Sequence, residues 1–355
     1  MILDFETLKF IWWVLVGVLF IGFAVTDGMD MGVGVLLPFL GENDNERRVI
    51  INTIGPHWDG NQVWLITAGG AIFAAWPLVY AAAFSGFYFA MLLALFALFF
   101  RPVGFDYRSK IADPRWRSAW DWGLFIGGVV PALVFGIAFG NLLQGVPFHL
   151  DEFLRPYYTG SFLGLLNPFA LLAGVISVAM LTMHGAIWLQ LRTEDPIATR
   201  AKYWAKITGL VTIGAFALAG IWLSIGIDGF RVVNMPELGA TPNPLTKEVV
   251  IDPTAWLANY WDYPLTLLFP ILGFAGLGGA VALSMQDRAG LGLIVSGLGI
   301  TGIIMTAGAA MFPFIMPSST MPNSSLIAWD ATSSHLTLTV MFWAAAIFIP
   351  IILLY

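Results

Sequence analysis

The chain has 355 residues, 58% of them hydrophobic and 11% charged, with a mean hydropathy of +0.81, 15 Trp and 28 Phe. Soluble domains carry about 25% charged residues, so this deficit excludes a water-soluble globular protein, and the length accommodates many membrane spans. The absence of Cys excludes disulfides, iron–sulfur clusters, thiolate ligands and c-type haem attachment, and nothing in a net charge of −6 points to nucleic acid.

The first apolar run, 8 to 39, is much longer than the apolar core of a cleaved signal and is expected to remain as the first span. Within it, Thr26-Asp27-Gly28-Met29-Asp30-Met31-Gly32-Val33-Gly34 puts Asp27 and Asp30 three apart on one helix face. Gly28, Gly32 and Gly34 would let a second backbone approach and shield those acids from lipid. At 1.5 Å per residue, Asp30 lies roughly 16 Å above a cytoplasmic end near Gly41.

The second run, 50 to 76, is interrupted by Pro56-His57-Trp58-Asp59-Gly60-Asn61-Gln62. Counted from Ile50, Asp59 lies roughly 14 Å into the span, close to the depth of Asp30. After Trp76-Pro77, a third run over 79 to 105 ends in Arg101-Pro102-Val103-Gly104-Phe105-Asp106-Tyr107-Arg108, which places Arg101 and Asp106 at the cytoplasmic mouth. Further runs at 119 to 143, 168 to 191, 203 to 227, 264 to 286, 288 to 312 and 335 to 355 complete nine predicted helices. Each is long enough for a hydrocarbon layer of ~30 Å.

Twelve of the 16 Lys and Arg lie in the loops after spans one, three, five and seven. Lys9, Arg155, Arg231 and Lys247 lie on the other side. The positive-inside rule then predicts a cytoplasmic C-terminus, a periplasmic N-terminus and three outer loops, at 144 to 167, 228 to 263 and 313 to 334.

Ionisable groups at bilayer depth mark functional sites by default. Asp106 and Arg101 at the mouth, Asp59 with His57 and Gln62 above them, and the Asp27/Asp30 pair form a ladder of proton-binding groups rising from the cytoplasm. Asp27, Asp30, Asp59, Asn61 and Gln62 could equally join helices by hydrogen bonds. Asp106 could equally be a surface partner of Arg101 or Arg108. Of the four histidines only His57 and His184 fall within spans, so there is no matched set to hold paired haems. A proton-coupled transporter or ion channel could use the same acids. Such a protein should carry paired broken helices in related halves, and the polar insert at His57 to Gln62 has no counterpart in the second half.

Longer motifs add a family. Phe10 to Trp13 (FIWW), Gly22 to Gly34 (GFAVTDGMDMGVG), Pro56 to Ala74 (PHWDGNQVWLITAGGAIFA), Phe84 to Tyr88, Phe100 to Lys110 (FRPVGFDYRSK), Phe139 to Phe148 (FGNLLQGVPF), Met311 to Met321 (MFPFIMPSSTM) and Trp329 to Ser334 (WDATSS) closely resemble subunit II of the cytochrome bd-type quinol oxidases, from end to end. The resemblance implies a subunit of a bacterial inner-membrane respiratory oxidase that oxidises ubiquinol or menaquinol and reduces oxygen to water. All haems, two of type b and one of type d, are expected on subunit I. It implies an all-α membrane protein of nine transmembrane helices: a four-helix bundle over about 1 to 143, another over about 168 to 312, and a peripheral helix over about 335 to 355. It also implies that protons enter from the cytoplasm through this subunit, at positions matched here by Asp59, Asp106 and Arg101. A structural quinone, surrounding lipid and a small single-helix subunit are further expected partners. Family members usually continue into a polar, basic tail, whereas this sequence is still apolar at Leu353-Leu354-Tyr355.

Overall fold

The computed structural model describes residues 3 to 235 and 237 to 354. Its helices are α1 (Phe5–Leu40), α2 (Asp44–Asn52), α3 (Trp58–Ala75), α4 (Pro77–Gly86), α5 (Tyr88–Leu98), α6 (Phe100–Tyr107), α7 (Pro114–Gln144), α8 (Pro168–Arg192), α9 (Ile197–Gly226), α10 (Ala255–Asp262), α11 (Leu268–Met285), α12 (Ala289–Met311) and α13 (His335–Leu354). Among the described residues, seven helical stretches are long and apolar enough to cross a membrane, with α5 and α6 counted together and the last-but-one starting at Pro264. The helix α3 and the shorter apolar α4 and α13 fall outside that set. Tyr355, the end of the expected ninth span, lies outside the described residues.

Local chemistry sets the helix ends. Asp4 caps α1 by accepting from the Thr7 amide at 2.8 Å, and Asn167 caps α8 from the Ala170 amide at 2.9 Å with Pro168 following. Asn43 caps α2 from the Glu46 amide at 3.0 Å while Glu46 reaches back to the Glu42 amide at 2.9 Å. These exchanges satisfy amides that a helix start otherwise leaves without partners.

Two expected spans are not continuous helices. The run over 50 to 76 breaks between Asn52 and Trp58, where Gly55 and Pro56 stand: glycine weakens a helix and proline lacks the amide needed to continue it. The run over 79 to 105 is divided at Phe87 and Phe99. Pro102 accounts for the second division, because without an N–H it cannot pair with the Leu98 carbonyl one turn earlier.

Helix α1 is the axis of the molecule. On one side it packs with α3 and α7, and α5 and α6 pack on α7; on the other, α8, α9, α11 and α12 pack together and α8 lies against both α1 and α7. Helix α13 touches α1 and α3 at the edge. The α1–α8 crossing is a backbone contact, since a Cβ on Gly32 would overlap the Leu181 carbonyl and one on Gly185 would overlap the Gly32 backbone. Close glycine packing of this kind lets helices associate in lipid, where burial of apolar surface gives no drive.

The loops over 144 to 167, 228 to 263 and 313 to 334 contain short antiparallel hairpins that hydropathy does not reveal. These are β1 (Phe148–Leu150) with β2 (Pro156–Tyr158), β3 (Gly229–Asn234) with β4 (Glu248–Asp252), and β5 (Phe314–Met316) with β6 (Leu326–Ile327). Beneath them, buried Lys9 donates to the Leu238 and Trp329 carbonyls, both at 2.7 Å, and Lys247 pairs with Asp330 at 2.7 Å. Burial pushes the Asp330 carboxyl up and the Lys247 ammonium down, and their mutual attraction opposes both shifts.

Candidate functional site

Asp27 and Asp30 face the α6 start and the α3 start. Arg101 of α6 grips Asp27 with both terminal nitrogens, at 2.8 and 2.6 Å, and lies 3.8 Å from Asp30 Oδ2. The three residues are 2% exposed or less, so charge pairing holds them where neither sign would be stable alone. Arg101 is therefore not at the cytoplasmic mouth, as its place in the sequence suggested. Its long side chain turns into the core because the acids of α1 are there.

Asp30 Oδ2 accepts from Asn61 Nδ2 at 2.8 Å, and the same amide lies 3.1 Å from His57 Nδ1. His57 Nε2 stands 3.0 Å from the Thr53 carbonyl, which can only accept. The proton of a neutral ring is therefore assigned to Nε2, and Nδ1 accepts from Asn61. The break between α2 and α3 makes this arrangement possible. It sets His57 at the N-terminus of α3 and Asn61 one turn on, both turned toward α1.

Asp59 is placed differently from the depth count. Because α3 starts at Trp58, Asp59 sits in its first turn rather than part-way along a longer helix, and it is exposed. Asp106, in the last turn of α6, is exposed as well. Neither carboxylate forms a hydrogen bond or ion pair among the described residues. The surface pairing anticipated for Asp106 does not occur. Arg101 is committed to Asp27, and Arg108 binds Asp121 at 2.5 Å and Asp44 at 2.9 Å. The six predicted site residues thus separate into a buried cluster of Asp27, Asp30, Arg101 and half-buried His57, and two surface acids on the same side of the chain.

Sequence reasoning missed the ionic belt around the end of the bundle where α2 lies. Asp121 of α7 also binds Arg47 at 2.9 Å, Asp44 also pairs with Arg117, and Arg200 of α9 binds Glu46 at 2.7 Å. The belt ties α2 to α6, α7 and α9. One signal was available: Asp121 lies between Trp120 and Trp122 at the head of an apolar run, where an unpaired acid is unfavourable.

Two of the four histidines have both ring nitrogens occupied. His57 has both ring nitrogens engaged as described. Buried His184 has Nδ1 2.5 Å from the Ser296 hydroxyl and Nε2 2.9 Å from the Val25 carbonyl, and His335 Nε2 lies 3.1 Å from the Leu3 carbonyl. No group of three or more His, Cys, Asp or Glu converges as a metal site among the described residues.

Comparison with known proteins places these features in context. The family described as cytochrome bd terminal oxidase subunit II matches residues 8 to 355. Cytochrome bd-I ubiquinol oxidase subunit 2 of Escherichia coli is 61% identical over 353 residues, covering 99% of this chain and 93% of its own. Cytochrome bd ubiquinol oxidase subunit 2 of Bacillus subtilis is 33% identical over 345 residues, covering 97% and 92%. A chain in the solved structure of bd oxidase from Geobacillus thermodenitrificans superposes with a TM-score of 0.68 at 13% identity, covering 99% of this chain and 97% of its own.

Proposed function

The chain belongs to the cytochrome bd terminal oxidase subunit II family, and from that membership we propose that it is the subunit of an oxygen-reducing quinol oxidase that ligates no haem and supplies a cytoplasmic proton path. The observation that carries the second part is the Asp27–Arg101–Asp30–Asn61–His57 cluster, with free Asp59 and Asp106 carboxylates on the surface nearby. Proton-binding side chains at the surface collect protons and a buried, hydrogen-bonded set passes them on. In this reading Asp59 and Asp106 face the path's entrance and deliver protons toward the partner subunit, where oxygen is reduced. The haem of the oxidase supplies electron transfer and oxygen chemistry; this chain holds the protons. The engaged ring nitrogens of His57 and His184, the two histidines within the expected spans, support haem ligation by subunit I. A secondary transporter or channel is the poorer reading, because membership of an oxidase family accounts for the acids and the charge cluster together.

The packing of α1, α3, α5–α6 and α7 on one side and α8, α9, α11 and α12 on the other supports two four-helix bundles, with α13 as the peripheral helix. Taking α4 with α5 and α6 as the third span, and adding α3 and α13 to the seven longer stretches, is consistent with the nine spans expected. Two b haems and one d haem on the partner, a structural quinone and a single-helix third subunit rest on the family resemblance alone.

Expression separates the subunit reading from an independent enzyme. Produced without its partner in haem-supplied membranes, the chain should give no stoichiometric b-type or d-type bands in a reduced-minus-oxidised spectrum. Produced with subunit I, it should give all the bands and quinol-driven oxygen consumption. Haem bands from the lone chain would overturn the assignment.

The proposed orientation has its own test. Ala112 and Thr241 are both exposed, in loops assigned to opposite sides, and the chain has no cysteine of its own. On cells with a permeabilised outer membrane, an impermeant maleimide should label Thr241→Cys and leave Ala112→Cys unlabelled until the inner membrane is opened. The reverse pattern would invert the topology.

A further inference from the structure

Asp30 is only half satisfied. Its Oδ2 accepts from Asn61, but Oδ1 is buried with no hydrogen-bond partner among the described residues. The nearest ring nitrogen, His57 Nδ1, is 3.7 Å away and already accepts from Asn61, so it offers Oδ1 no proton while the ring is neutral. Buried carboxylate oxygens in folded proteins nearly always find a donor, and where side chains supply none an ordered water does.

A water-sized cleft opens beside this carboxylate. Asp30 and Arg101 are its polar walls, and Val33, Ile50, Ile54 and Phe105 are among its apolar ones. Arg101, which lines the cleft, has five N–H donors and spends one from each terminal nitrogen on Asp27, so donors remain uncommitted. A water needs two or more polar partners to be held, and this site provides an acceptor and a donor. Ile50 and Ile54 belong to α2 and the turn after it, the segment that the ionic belt fastens through Asp44, Glu46 and Arg47.

We propose that this cleft is a binding site for one ordered water that bridges Asp30 Oδ1 and the Arg101 guanidinium, and that protons reach Asp30 through it from beneath α2. The water gives a proton to Oδ1, forming one O–H bond as another breaks, and is reprotonated from the cytoplasmic end of the cleft; no electrons move. This assignment rests on the proton-path reading and deepens it: it places the inner proton-holding group at Asp30 and gives α2 the role of a wall over its access.

The test uses the assembled complex in lipid nanodiscs, imaged at a resolution where other internal waters are visible, together with quinol-driven oxygen consumption per haem. The wild-type map should contain a water within hydrogen-bond distance of Asp30 Oδ1 and of Arg101. Val33→Ile adds one methylene to the wall of the cleft. It should displace that water and slow turnover at least tenfold, with haem content and the Arg101–Asp27 contact retained. Absence of the water in the wild-type map, or wild-type turnover in a Val33→Ile complex that lacks it, overturns the proposal. Asp59→Asn distinguishes the two readings: wild-type turnover there, with the water present and Val33→Ile slow, removes the surface-acid route and leaves the water site standing.

Discussion

Arg101→Gln is expected to leave membranes almost without assembled oxidase. The substitution strands the Asp27 carboxylate, which is fully buried and otherwise held by two charge-assisted hydrogen bonds of 2.8 and 2.6 Å. Removing one member of a buried ion pair costs about 3–5 kcal/mol, because the remaining charge has lost its compensation without regaining water. A loss of that size is a large part of the stability of an ordinary domain. Asp27→Asn should be comparably damaging, since it leaves the guanidinium with only the distant Asp30 carboxylate. The double variant Arg101→Gln/Asp27→Asn removes both charges, and two amides can bond to each other, so assembly should largely return. Haem recovered per milligram of membrane and the melting temperature of the purified complex read this directly. Either single variant assembling at wild-type yield with an unchanged melting temperature would show that the pair contributes little.

Asp59→Asn should behave in the opposite way: full assembly, full haem content, and oxygen consumption lowered at least about tenfold, a floor set below the roughly hundredfold to ten-thousandfold range of general acid–base effects. Asp59 has no side-chain partner among the described residues, so its replacement costs this chain no bond. An acid in the first turn of a helix stabilises it by about 0.3–1 kcal/mol through the helix dipole, a loss too small to unfold a packed helix. Asn keeps the shape and hydrogen-bonding reach of Asp and cannot carry its proton. The defect should therefore fall on steps that consume protons. Wild-type turnover per haem in this variant would remove Asp59 from the path. Asp59→Leu adds a location: because no contact within the chain is lost, failure of that variant to assemble would mean that the carboxylate bonds to the neighbouring subunit.

Composition alone determined that this is a membrane protein, because hydropathy is a sum over neighbours in the chain and needs no fold to evaluate. Motif order determined the family, and the acids of α1 and the arginine of α6 stood out because charge within an apolar run is costly wherever it comes to rest. The break between α2 and α3 was also written locally, in Gly55 and Pro56, although a depth counted from Ile50 as if the helix were unbroken set Asp59 too far inward. Only the tertiary structure decided partners. Arg101 and Asp27 are 74 positions apart, and Arg108 could pair with Asp106, Asp44 or Asp121 until the helices packed. Coulomb attraction is strong between these groups only where packing excludes water, so the pairing follows from which helices enclose them. The same holds for Asn61, one of several amides in the sequence and the link between Asp30 and His57 in the fold. It holds too for the loop hairpins, whose strands of two to six residues are too short to show a periodicity and form because neighbouring loops meet beyond the helix ends.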